Sequence, residues 1–214
     1  MIINHDNARY REKWNNSNNK WNGAFYYSKE ICKYMIPNVQ TDRNWITINM
    51  KGEGCDHAIV FIHNNLHPEN YDWLSQYKDL ILVCGVGETK EKVKHLGTPI
   101  YLPLSVKVDY VEQFIREKTK KTAYVGRKAK MKHSEIEIPE GVDILSDVRR
   151  EKLLPMMAEY EEVYAVGRVA IEAKILGCKV LRFDERYPST RRWKILDTLD
   201  AAKMLQEKLD KIDG

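Results

Sequence analysis

The segment Tyr164-Ala-Val-Gly-Arg-Val-Ala-Ile-Glu-Ala-Lys-Ile-Leu-Gly-Cys-Lys-Val-Leu-Arg-Phe183 reads as four consecutive parts. An apolar strand runs to Val166, Gly167 makes a turn, Val169 to Leu176 carries helical spacing, and a second strand begins at Lys179. Gly177 closes the helix, because a left-handed residue at that point costs glycine nothing. A strand, turn, helix and strand in this order builds a parallel pair with the helix packed on one face. The start of such a helix carries free amides and partial positive charge, which suits phosphate, and a carboxylate one turn on, here Glu172, is placed to accept hydrogen bonds from ribose hydroxyls. The same spacing also fits an ordinary helix C-cap at Gly177 and a solvated Glu172.

The pattern repeats outward from this segment. Apolar or β-branched runs at Trp45 to Met50, Ala58 to Ile62, Leu80 to Cys84, Ile100 to Leu102, Thr122 to Val125, Val142 to Leu145, Val163 to Val166 and Lys179 to Phe183 read as strands. Between them, Asn70 to Gln76, Thr89 to His95, Val108 to Lys118, Arg150 to Tyr160 and Val169 to Leu176 read as helices. Strands alternating with helices define an α/β protein with parallel sheets. Residues 1–104 form an N-terminal domain, and 105–214 a second, with the division at the passage after Leu102. The first forty residues differ in kind: Asn15, Asn16, Asn18 and Asn19 mix with Trp14, Trp21, Tyr26 and Tyr27, as expected of an aromatic, asparagine-rich arm. Ser28 to Met35 reads as a short helix ended by Pro37. At the other end, Ile195, Leu196, Leu199, Ala202, Leu205 and Leu209 recur at helical spacing and predict an amphipathic closing helix.

Composition agrees with two small globular domains and excludes other classes. The 214 residues are 43% hydrophobic and 31% charged, so disorder and coiled coil are poor readings. Lys and Arg number 35 against 31 Asp and Glu, a net charge of +4. No apolar run approaches the ~20 residues of a membrane span, and Met1-Ile-Ile-Asn-His-Asp has no secretory character, so a cytoplasmic location is expected. Cys32, Cys55, Cys84 and Cys178 form no CxxC pair and are expected as buried thiols without a structural metal.

With these parts in hand, a resemblance appears. Arg168-Val-Ala-Ile-Glu-Ala-Lys-Ile-Leu-Gly-Cys-Lys-Val-Leu resembles the C-terminal signature of GT-B glycosyltransferases, a Glu-Ala pair on a helix followed by Gly, a small residue and a strand. Thr122-Ala-Tyr-Val-Gly-Arg-Lys-Ala-Lys is similar to the strand that opens their donor-binding domain, and Tyr101-Leu-Pro-Leu-Ser-Val-Lys-Val-Asp-Tyr-Val to their interdomain passage. The order of parts matches over Leu80 to Phe183. The resemblance implies two Rossmann-like domains and a nucleotide-sugar donor. It implies Glu172 on the donor ribose, Arg127 with Lys130 or Lys132 on the diphosphate, and Gly167 and Arg168 at the helix start that receives it. Fixed cations and helix amides stabilise a leaving diphosphate without a metal, so neither metal nor cofactor is expected. Three features depart from the family: Tyr164 stands where many retaining members have a second glutamate, the glycine-rich turn is reduced to Gly167-Arg168, and the first domain is short.

An inverting transfer needs a base for the acceptor hydroxyl, and His63, at the end of a strand, is the candidate. The acceptor is not specified. Arg116, Lys118, Lys120, Lys121, Arg127, Lys128, Lys130, Lys132 and His133 form a basic run, and Arg182, Arg186, Arg191, Arg192 and Lys194 another, which makes a polyanion one option, such as DNA in the manner of phage enzymes that glycosylate modified bases. A solvated basic face is the ordinary alternative. The competing functional reading is a non-catalytic module of the same fold that holds a nucleotide, a sugar phosphate or nucleic acid.

Overall fold

The computed structural model describes residues 30–47, 56–62, 74–85, 87–126, 137–182 and 194–214. The aromatic arm expected before residue 30 lies outside them. The chain divides into two units: the described part of the first falls within Tyr26–Leu104 and Thr198–Gly214, and the second is Ser105–Asp197.

The first unit is a four-stranded parallel sheet in the order β1 (Asn44–Thr47), β2 (His57–Ile62), β3 (Asp79–Cys84) and β4 (Thr98–Tyr101). The two central strands are apolar at every position after the first because both faces are covered, as parallel sheets require. Ala58, Val60, Ile62, Leu80, Leu82 and Cys84 pack with Leu74, Tyr77 and Val93. On the opposite face Ile59, Phe61, Ile81 and Val83 are equally buried, and the Trp45 ring stacks on Phe61 at 5.8 Å between centroids. Helix α1 (Gly87–Val93) joins β3 to β4. Burial pushes the Cys84 thiol up to about 11, so it behaves as an apolar core group.

Before β1, the expected short helix is a π-helical turn, Ile31–Met35, and Pro37 does not end it but sits at the head of a 3-10 turn, Ile36–Asn38. The closing helix α5 (Thr198–Asp213) packs on these two turns. Its buried stripe is Ala201, Ala202, Leu205 and Leu209, while Gln206 accepts from the Gln40 amide at 2.7 Å and Asp213 accepts from Arg43 at 2.6 Å. The helix assigned to the second domain by its place in the sequence is therefore part of the first unit, because its apolar partners are Ile31, Met35 and Ile36.

The second unit holds α2 (Val108–Glu112), β5 (Lys120–Val125), β6 (Asp143–Leu145), α3 (Arg150–Met157), β7 (Tyr160–Tyr164), α4 (Arg168–Ile175) and β8 (Lys179–Leu181). All pairings are parallel, in the order β6-β5-β7-β8. Ala123, Val125, Leu145, Leu154, Met157, Val163, Ala170, Ala173 and Leu176 form its core. Two helices end earlier than their periodicity indicates: α2 stops at Glu112, and α3 at Met157. The strand expected at Val163 to Val166 begins instead at Tyr160, with Lys120 opposite Tyr160 and Thr122 opposite Glu162. Among the described residues no helix is long and apolar enough to cross a membrane.

Candidate functional site

The strand order of the second sheet fixes where a ligand would collect. From β5 the chain moves outward to β6, then returns to the other side of β5 to lay down β7 and β8. At such a reversal the connections leave in opposite directions, and a crevice opens beyond the carboxyl ends of the two central strands. The helices α3 and α4, which follow β6 and β7, both start at this edge.

Backbone detail keeps the edge open. Gly126 follows β5 directly, and a Cβ there would lie 2.7 Å from the Tyr124 hydroxyl, whose ring is fully buried. Gly167 follows β7 with φ of 65° and ψ of −143°, a backbone that L side chains avoid, and a Cβ there would meet nothing within 4 Å. The chain turns sharply into α4 with open space at the turn. Alanines at positions 170 and 173 let α4 lie close on the sheet.

On α4 the charged groups are inside. Glu172 is 2% exposed and Arg168 7%. Arg150, the first residue of α3, donates to Glu172 Oε1 from Nε at 2.9 Å, with Nη2 at 2.8 Å, and Arg168 Nε lies 3.4 Å from the same oxygen. The Arg150 guanidinium also lies over the Tyr110 ring at 5.1 Å. A part-buried and a buried cation thus face one carboxylate at the heads of two helices, whose partial charge is itself positive.

Of the residues singled out by sequence, the structure brings together Gly167, Arg168 and Glu172. His63, Arg127, Lys130 and Lys132 lie outside the described residues. Glu172 is not a solvated helix residue, whereas Gly177 is the expected C-cap, with φ of 78°. Tyr164 ends β7. Arg150 escaped the sequence reading. Nothing in its spacing set it apart from Arg149, since its pairing with Glu172 depends on how α3 and α4 pack.

The first half of the basic run has a structural role. Arg116 and Lys120 pair with Glu159, just before β7, while Lys121 on β5 pairs with Glu161 and Lys179 on β8 with Glu162 of β7. Lys118 donates to the carbonyls of Ala158 at 2.8 Å and Leu176 at 2.7 Å, where α3 and α4 end. These cations are committed to carboxylates and helix ends. Among the described residues no group of three or more His, Cys, Asp or Glu is placed to hold a metal. No family model and no curated protein matches the chain.

Proposed function

We propose that the chain is a GT-B-like glycosyltransferase that binds a nucleotide-sugar on its second unit and transfers the sugar without a metal. The observation that carries this reading is the convergence, at the carboxyl edge of a parallel sheet with a strand reversal, of the Gly167 turn, the start of α4, two arginines and Glu172. The helix start and the arginines supply the positive field that a departing nucleoside diphosphate requires, and Glu172 supplies an acceptor for the ribose. The return of α5 to the first unit agrees with a chain that closes on itself after building the donor domain. His63 is the base proposed for the acceptor hydroxyl, and Arg127 with Lys130 or Lys132, which follow β5 in the chain, are the further diphosphate ligands proposed.

Titration calorimetry with UDP-, GDP-, ADP- and dTDP-sugars tests the reading. Binding of one nucleotide class, with Glu172→Gln weakening it more than it lowers Tm, is expected; no binding to any of the four removes the donor site. A non-catalytic binding module of the same fold is favoured by one observation, Tyr164 at the end of β7 in place of a carboxylate. Donor hydrolysis or transfer separates the two, since a binder gives neither.

A further inference from the structure

Where glycine would fit at no cost, the loop after β6 carries an aspartate. Strand β6 ends at Leu145, and two residues on Asp147 has φ of 59°, the one non-glycine among the described residues in the left-handed region. Aspartate tolerates this backbone better than most residues, yet glycine adopts it freely, so the turn alone does not call for a carboxylate. The Asp147 side chain is exposed, and the Ser146 hydroxyl donates to its Oδ2 at 2.9 Å.

The loop lies at the edge where a ligand would collect. Val125 and Leu145 are paired across β5 and β6, and the Gly126 amide donates to the Leu145 carbonyl at 3.4 Å, so the residues just past β6 adjoin the turn that closes β5. The described residues directly beyond the carboxyl ends of the four strands are 126, 146–149, 165–167 and 182, and Asp147 carries the only carboxylate among them. In α/β sheets that hold a nucleotide, the acceptor for the ribose hydroxyls follows the glycine turn of the first strand by about twenty residues. Asp147 has that spacing from Gly126 and follows the strand beside it. Glu172, by contrast, is 2% exposed and faces Arg150 and Arg168. An exposed acceptor meets a hydroxyl without first opening a buried ion pair, which costs more than the hydroxyl returns.

We infer that Asp147 is the nucleotide-selecting residue of the second unit: its carboxylate accepts hydrogen bonds from the ribose hydroxyls of the bound nucleotide. This rests on the donor-binding reading above and shifts one contact within it, from the buried Glu172 to the exposed Asp147, leaving Glu172 to hold the two arginines. A carboxylate offers two oxygens to two neighbouring hydroxyls. Hydrogen bonding to a charged acceptor corresponds to a discrimination of roughly ten- to a hundredfold between a nucleotide with ribose hydroxyls and one without.

Calorimetry on the full chain tests this with UDP, GDP and ADP against their 2′,3′-dideoxy counterparts, in the wild type, Asp147→Gly, Asp147→Asn and Glu172→Gln. The wild type is expected to prefer the ribose form of the nucleotide it binds by roughly ten- to a hundredfold. Asp147→Gly keeps the left-handed turn and removes the carboxylate. It is expected to hold the wild-type Tm and the affinity for the dideoxy form while the preference falls to within about threefold. Asp147→Asn keeps the shape and removes the charge, and its preference is expected to fall between the two. Should the glycine variant fold poorly, the asparagine variant carries the comparison, and full preference in it overturns the inference. Glu172→Gln is expected to weaken both forms alike, through its arginines. Full preference retained in Asp147→Gly, or preference lost in Glu172→Gln alone, overturns the inference and leaves the donor site standing. Wild-type binding without preference does the same. An equal loss for both forms in Asp147→Gly reduces Asp147 to a loop-forming role and overturns the inference too, and no binding of any diphosphate overturns both readings.

Discussion

Gly97 lies against the backbone of β3, and a Cβ built on it would come within 2.4 Å of the Leu80 carbonyl oxygen and 2.9 Å of the Leu80 Cβ. Neither atom is the end of a flexible side chain, so an added methyl has to move the strand. Gly97→Ala is expected to lower stability by about 1 to 3 kcal/mol, in the range of overpacked sites. Gly87 provides the control: it opens α1 and a Cβ there meets nothing within 4 Å, so Gly87→Ala is expected to be neutral or to gain up to about 1 kcal/mol from helix propensity. Guanidinium midpoints at constant slope check the pair, and equal midpoints would contradict the close approach. Charge adds a pH-dependent residue effect. Burial alone raises the Asp79 carboxyl, but hydrogen bonds from His57 and Arg43 outweigh it and hold the group below its ordinary value. A carboxylate lowered by folding contributes stability that is complete above its unfolded pKa and disappears as pH falls through its folded one. Asp79→Asn is expected to flatten the loss of stability between about pH 5 and pH 2, by a small amount because the group is 36% exposed and screened. Urea unfolding across that range measures it, and identical slopes in the two proteins would sink the assignment. The sequence showed Glu172 as an acceptor on a helix, but whether it faced water or Arg150 depended on how α3 and α4 pack, which spacing does not encode.

At the scale of elements, Lys118 shows why a basic run was misleading in one dimension. Its neighbours in sequence suggested a charged face, yet its ammonium reaches the last carbonyls of both α3 and α4, groups that no helix can satisfy internally. A cation there also meets the negative end of each helix dipole. Lys118→Met keeps most of the unbranched stem and removes both bonds, and it is expected to cost about 2 kcal/mol. Amide exchange should quicken in the last turns of α3 and α4; exchange unchanged there would show that the caps contribute nothing. The strands were largely legible because apolar runs bounded by polar residues require a sheet buried on both faces. Strand β7 was read too late in the chain because Glu161 and Glu162 interrupt its apolar character. They belong in the strand because Lys121 and Lys179 on neighbouring strands pair with them.

For the whole molecule, the placement of α5 is the feature that sequence order conceals. An amphipathic stripe states that a helix has a buried face, not which surface buries it. Here the stripe meets the turns Ile31–Met35 and Ile36–Asn38, and Arg43 binds both Asp213 near the end of α5 and Asp79 at the start of β3, so the last sixteen helical residues complete a unit begun near the start of the chain. Such a fold cannot finish its first unit until the second has been made. A chain ending at Asp197 keeps every described partner of the second sheet, including the Asp197 carboxylate that caps α2, but loses the apolar cover of Ile31, Met35 and Ile36. The truncated protein is expected to lose hydrogen-exchange protection throughout β1 to β4 while β5 and β7 retain theirs, because local stability follows the burial of each cooperative unit. Equal loss in both sheets would mean that α5 stabilises the molecule as one body, and undiminished protection in β1 to β4 would mean that its stripe contributes no cover at all.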